Sequence, residues 1–156
     1  MLTSDPEPIS PLKPVLVSGC ALGFNCRWNC KAVQTNLDLE PGSLPLPVCP
    51  ETLAGFGCPR PSIQLSGGDG ELVLRGRARA LEESGKDITQ QLIKACERVA
   101  SFCKDHGVKT AYLVENSPSC GVNRVWVDGQ LVSGKGVLTA LLRGQGLEVV
   151  AVEKGS

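Results

Sequence analysis

A chain of 156 residues, 42% of them hydrophobic, has the length and apolar surface for one compact core, so a single domain is the expectation. Sixteen basic residues against sixteen acidic ones leave no net charge, which argues against a long nucleic-acid track or an anionic membrane surface, and 4% aromatic content limits base stacking. No apolar run reaches membrane-spanning length, and Met1 to Pro8 carries neither the positive nor the apolar part of a signal peptide, so a cytoplasmic location without a membrane partner is expected.

Residues 1–12, with Pro6, Pro8 and Pro11 among Ser, Thr and Asp, read as a loosely packed tail ahead of a domain at 13–156. Lys13 to Ser18 is a short apolar run ended by Gly19, which predicts a buried strand, and Cys20 follows at once. Leu46 to Val48 is a second such run, weakened by its prolines, and Cys49-Pro50-Glu51 comes next. Residues 66–86, rich in Gly, Glu and Arg, read as an exposed irregular excursion. Asp87 opens the clearest helix, in which Leu92, Ile93, Cys96, Val99, Ala100 and Cys103 recur at helical spacing until His106-Gly107.

Lys109 to Val114 predicts a further strand, broken by Asn116-Ser117-Pro118-Ser119-Cys120-Gly121. Val125 to Val127 and Gln130 to Val132 flank Asp128-Gly129, a hairpin signal of type I′. A second helix is expected from Val137 to Arg143 and a last strand from Leu147 to Val152. The alternation predicts an α/β fold: one domain, a mostly parallel sheet flanked by helices, and a small hairpin excursion. In such sheets ligands collect outside the carboxyl ends of the strands, which would make neighbours of Cys20, Cys49 and Cys120.

Eight cysteines in a reducing compartment point to metal binding or thiol chemistry before disulfides. Cys96 and Cys103 lie on the apolar face of the predicted helix and are expected to pack in the core. Cys58, between Gly57 and Pro59, is open to a loop role or a direct one. Cys20-x5-Cys26-x3-Cys30 matches neither a zinc finger pair nor a ferredoxin run, although a structural zinc held by these three and one more cysteine stays open. Cys20, Cys49 and Cys120 each follow a strand with Gly or Pro beside them, so sharp turns can bring them together as three ligands with a fourth position free.

Val17-Ser18-Gly19-Cys20-Ala21-Leu22-Gly23, Val48-Cys49-Pro50-Glu51, Pro59-Arg60-Pro61, Gly85-Lys86-Asp87-Ile88-Thr89, Ser117-Pro118-Ser119-Cys120-Gly121 and Gly134 to Leu142 stand in the order seen in the small bacterial thiouracil desulfidases. The chain resembles that family over about residues 13–152. The resemblance implies a [4Fe-4S] cluster on Cys20, Cys49 and Cys120, with one iron left for substrate sulfur. It implies a C–S bond-cleaving enzyme that converts a thiolated pyrimidine, 2- or 4-thiouracil or a 4-thiouridine derivative, into the oxygen analogue and sulfide without net electron transfer.

Under that resemblance Glu51 is the candidate general base and Ser117 a candidate catalytic donor, while Ser119, Arg60 and Trp28 are candidates for shaping the loop, fixing a carboxylate or phosphate, and stacking on the ring. Their alternative roles are a solvated carboxylate or cap, hydroxyls bonded to their own turn, a surface ion pair and ordinary packing. Two features depart from the family pattern: Arg27-Trp28-Asn29-Cys30 where Arg-Tyr-Asp-Gly is common, and Val114-Glu115-Asn116 where a basic residue usually precedes Ser-Pro-Ser-Cys. Expected partners are a small thiopyrimidine and no nucleic acid beyond a thiolated tRNA; the rival readings are a zinc-binding structural module and a cysteine redox sensor.

Overall fold

Four parallel strands form the first sheet: β1 (Lys13–Ser18), β2 (Ser43–Val48), β5 (Thr110–Val114) and β8 (Glu148–Val152), in the order β2-β1-β5-β8. The computed structural model describes residues 11–33, 35 and 37–153, so the tail expected at 1–12 lies almost wholly outside the described residues. β1 and β2 run in register from Lys13 opposite Ser43 to Ser18 opposite Val48. Pro45 and Pro47 are tolerated there because β2 is an edge strand, where a missing N–H need not break a ladder. β1 is central and its Val15, Leu16 and Val17 are buried.

A second sheet has the order β4-β3-β6-β7, built from β3 (Ile63–Ser66), β4 (Arg79–Glu82), β6 (Arg124–Val127) and β7 (Gln130–Ser133). β3 runs parallel to β6, and the two outer pairings are antiparallel. The predicted hairpin is β6–β7, with Asp128 at φ 48° and Gly129 at φ 80°, the two positive values that a type I′ turn requires. It is not a separate excursion, because β3 joins it to the rest of the molecule.

Residues 66–86 are the main departure from expectation. They contain α2 (Gly70–Leu74) and β4, and they bury Val73, Ala78 and Ala80. Elements of four or five residues complete too little of a period to be visible in sequence. Asp69 caps α2 through the N–H groups of Glu71 and Leu72 and also accepts the Lys135 N–H at 3.1 Å, which ties this region to the start of α4 (Val137–Gly144).

α3 (Thr89–Asp105) buries Leu92, Cys96, Val99, Ala100 and Cys103 in one cluster with residues of both sheets and of α4. Its start is held by Asp87, which accepts the Thr89 N–H at 2.9 Å and pairs with Arg79 at 2.6 Å. The Thr89 hydroxyl, followed by these partners, pulls the Asp87 carboxyl down to about 2. Among the described residues no helix is long and apolar enough to cross a membrane.

Candidate active site

β2, β1 and β5 are adjacent and parallel, so their carboxyl ends share one rim. Past β1 the 3-10 turn Gly19–Leu22 carries Cys20; past β2, Cys49 precedes the short α1 (Pro50–Leu53); past β5, the loop 115–121 carries Cys120. All three line one cavity of about 600 Å³, together with Cys26. The convergence expected from strand ends is therefore present. Ser18 fastens it, because its hydroxyl accepts the Val114 N–H at 3.0 Å and holds the ends of β1 and β5 together.

The Cys120 loop is clamped from below by the start of α4. Gly136, Val137 and Leu138 donate their N–H groups to the carbonyls of Gly121, Pro118 and Ser119 at 2.7, 3.0 and 2.9 Å, and the Thr139 hydroxyl bonds the Cys120 carbonyl at 3.2 Å. A Cβ on Gly136 would lie 2.5 Å from the Ser119 carbonyl, so only glycine lets the two backbones come this close. The Gly134-Lys135-Gly136 and Ser117 to Gly121 motifs are thus two halves of one joint. On the other side, Glu115 Oε1 accepts the N–H groups of Val122, Asn123 and Arg124 at 2.7, 2.8 and 3.3 Å. Burial raises this carboxyl, but the three N–H donors outweigh it and the net shift is downward.

The three thiols sense one another. Burial, then the neighbouring Cys49, pushes Cys20 up to about 11, with Arg27 pulling the other way. Burial also drives Cys120 far above the ordinary thiol value, opposed by a hydrogen bond from Ser18 and reinforced by Cys49 and Cys20. Cys49 Sγ receives the Thr52 hydroxyl at 3.2 Å and faces Arg60 Nη2 at 4.0 Å. The raised Cys20 and Cys120 thiols are expected to keep their protons until a cation replaces them. The donor set is soft, anionic when ionised, and furnished with outer hydrogen-bond donors, which suits iron.

Glu51 lies in α1 at the cavity wall, 9% exposed. Arg60 Nε and Nη2 reach its Oε1 at 3.4 and 3.3 Å, and the Ser119 hydroxyl donates to its Oε2 at 3.2 Å. Arg60 itself is 7% exposed and also donates to the Gly57 carbonyl at 2.7 Å, so it fixes a carboxylate inside the protein. Ser117 and Ser119 hydroxyls are 3.0 Å apart. The Ser119 hydroxyl also reaches Cys120 Sγ at 3.8 Å, and with its proton on the nearer Glu51 oxygen the Ser117 hydroxyl becomes the donor to Ser119, a file of hydroxyls that ends on the carboxylate. Ser117 Oγ accepts the N–H groups of Ser119 and Cys120 at 3.2 and 3.1 Å, which is the turn-making role.

Trp28 lines the cavity while remaining 45% exposed, and its carbonyl accepts the Arg60 N–H at 2.9 Å. Trp126, read from sequence as structural, lines the same cavity at 44% exposure. Alternation within β6 puts it on the face opposite buried Val125, but nothing in the sequence told that this face meets the cysteines, because β3 was not visible. Arg27 and Glu115 also line the cavity. Among the described residues no three of His, Cys, Asp and Glu gather closely enough for a single metal ion. Zinc needs all its thiolates ~2.3 Å from one point, and the described residues do not assemble Cys20, Cys26 and Cys30 in that way. A cubane distributes its thiolates over separate irons, so it asks for sulfurs spaced around a cavity instead.

The model of the family described as 2-thiouracil desulfurase matches residues 15–154. The chain belongs to that family. It is similar to the uncharacterised protein YbbK of Bacillus subtilis (strain 168), with 34% identity over 142 residues that cover 88% of this chain and 94% of that protein. It is also similar to the solved structure of the [4Fe-4S]-dependent thiouracil desulfidase TudS, with 29% identity, a TM-score of 0.72, and coverage of 89% and 90% of the two chains. The resemblance to the thiouracil desulfidases read from the motifs is therefore correct, and the fold is the α/β one expected.

Proposed function

We propose that this 2-thiouracil desulfurase family member carries a [4Fe-4S] cluster on Cys20, Cys49 and Cys120 and uses it to replace the sulfur of a thiolated pyrimidine by oxygen, releasing sulfide without net electron transfer. The observation that carries the reading is the meeting of these three cysteines, from the ends of three adjacent parallel strands, around one cavity. Family membership and the likeness to a structure described as [4Fe-4S]-dependent support it. When bound, such a cluster supplies an open iron, a soft Lewis acid that prefers a thiocarbonyl sulfur to a carbonyl oxygen.

The protein's own groups supply the proton chemistry. Glu51 Oε2 takes a proton from the water that attacks the C=S carbon, and Arg60 holds the carboxylate plane by two N–H contacts to Oε1. Ser119, donating to Oε2, positions Glu51 and passes a proton along the hydroxyl file that Ser117 continues. The atoms balance: water adds its oxygen to the ring carbon, sulfur leaves with the two protons as hydrogen sulfide. Trp28 at the mouth offers an aromatic face to the pyrimidine. The cavity is of drug-like size, so a thiopyrimidine that still carries its sugar is within the substrate class. The setting is a soluble cytoplasmic enzyme without a membrane partner.

Anaerobic incubation with 2-thiouracil, 4-thiouracil and 4-thiouridine, followed by sulfide determination, tests this. Stoichiometric sulfide and the oxygen analogue are expected from at least one of them. An iron-loaded protein that releases none from any of the three contradicts the proposal.

A further inference from the structure

Cys30 and Cys58 do not line the cavity, and the chemistry proposed above leaves them unused. They come from segments far apart in sequence that the fold stitches together beside the cavity mouth. The Cys58 thiol donates to the carbonyls of Asn25 and Arg27 at 3.3 and 2.9 Å, while the Cys30 N–H donates to the same Arg27 carbonyl at 2.9 Å. One oxygen therefore holds both residues. The Arg60 N–H on the Trp28 carbonyl, 2.9 Å, closes the seam from the other side. Cys58 is exposed and Cys30 half-buried, so both are open to small reagents. The Cys58 thiol is the largest influence on the Cys30 thiol and pushes it up, in keeping with two residues gathered on the one Arg27 carbonyl. Cys30 sits at φ 60°, a left-handed conformation disfavoured for any residue with a Cβ and often found where function holds it.

We infer that Cys30 and Cys58 are a dithiol–disulfide site, distinct from the cluster cysteines, whose oxidation locks the Asn25–Cys30 segment onto the Gly57–Arg60 segment at the mouth of the cavity. The oxidant is a low-molecular-weight disulfide. The exposed Cys58 thiolate attacks it, forming a mixed disulfide and releasing one small thiol; the Cys30 thiolate then displaces the second. Two protein thiols lose two electrons and two protons, and one small disulfide becomes two thiols. The lock bears on the site because Arg27 and Trp28 of one segment line the cavity and Arg60 of the other holds Glu51.

The test uses the whole chain, anaerobically prepared and with its iron counted, equilibrated in glutathione and glutathione disulfide at graded ratios, then blocked and digested with trypsin without reduction. Cys30 is the only cysteine of the fragment 28–31, Cys26 falls in 1–27, and Cys58 falls in 32–75 with Cys49. The expected product is 28–31 joined to 32–75, absent from Cys58→Ser, with iron content unchanged and amide exchange across 25–30 at least about tenfold slower in the oxidised protein. A cross-link from 28–31 to 1–27, its persistence in Cys58→Ser, or no cross-link even in glutathione disulfide alone overturns the inference. The cross-link in an iron-loaded protein that, before oxidation, releases no sulfide from 2-thiouracil, 4-thiouracil or 4-thiouridine sustains this inference and refutes the desulfurase reading, so the two fail separately.

Discussion

Cys20 and Cys120 at the strand ends and the two cysteines on α3 all have raised thiols, yet the fold puts the two sets to different uses. Cys103 is raised to about 11 by burial alone, and Cys96 is raised well above its ordinary value by burial first and then by Cys120 and Glu51. Cys20 reaches the same value as Cys103, but Cys49 contributes to it. The raised thiol does not by itself separate a proposed ligand from a core residue here. What separates them is backbone context: the helix pins its thiols side by side with Leu92 and Val99 in the core, whereas turns after strands deliver theirs to a shared opening.

The sharpest way to break this comparison is to remove one cysteine from each set. Cys49→Ala is expected to lose nearly all bound iron and to lower sulfide release by at least about a hundredfold. Cys103→Ala is expected to keep both and to cost about 1–2 kcal/mol of stability through a small cavity. Iron analysis beside urea unfolding reads the two outcomes, and an iron-depleted Cys103→Ala with an iron-replete Cys49→Ala would invert the account.

A substitution that leaves every thiol in place separates rim geometry from rim chemistry. Gly136→Ala drives a methyl group into the Ser119 backbone, and overpacking of this kind costs about 1–3 kcal/mol. Iron occupancy is expected to fall with stability because Cys120 moves with that backbone. Full iron loading in this variant would show that the α4 joint does not position the loop.

Glu51→Gln keeps the shape of the carboxylate and should leave iron intact while lowering turnover by roughly a hundredfold or more. Ser119→Ala removes the donor to Oε2 and is expected to lower it by about tenfold, the worth of one hydrogen bond to a charged group. Steady-state sulfide release with an iron assay checks both. Equal losses in the two variants would mean that Ser119 acts on its own account and not through Glu51.

The mildest probe is pH. The Glu115 carboxyl titrates below its ordinary value of 4.5 in the folded chain, so its contribution to stability is complete above that value and declines as pH falls through the folded pKa. Glu115→Gln weakens three N–H contacts and should cost about 1–3 kcal/mol at neutral pH. The gap from the unaltered protein should narrow in acid, as urea midpoints at pH 7 and pH 3 will show; a gap that widens would contradict the clamp.

β1, β5, β8, α3, α4 and the hairpin were legible in the sequence because each repeats its pattern for long enough or ends on a diagnostic turn pair such as Asp128-Gly129. β3, α2 and β4 were not, since four or five residues carry no measurable period, and the second sheet went unseen with them. The three cysteines were legible through the Gly and Pro that follow buried runs. The contact of Glu51 with Ser119 was not, because it joins residues from different strand ends whose adjacency exists only once β2, β1 and β5 lie side by side. Trp126 was hidden for the same reason as β3, its neighbour in the second sheet.

A crystal grown without oxygen, with anomalous scattering collected across the iron edge, addresses the central claim most directly. The expected result is one four-iron cluster bonded to the Cys20, Cys49 and Cys120 sulfurs, with one iron bonded to no protein atom. A cluster bound through Cys26 or Cys58 in place of one of these three, or a lone zinc at the rim, would contradict it.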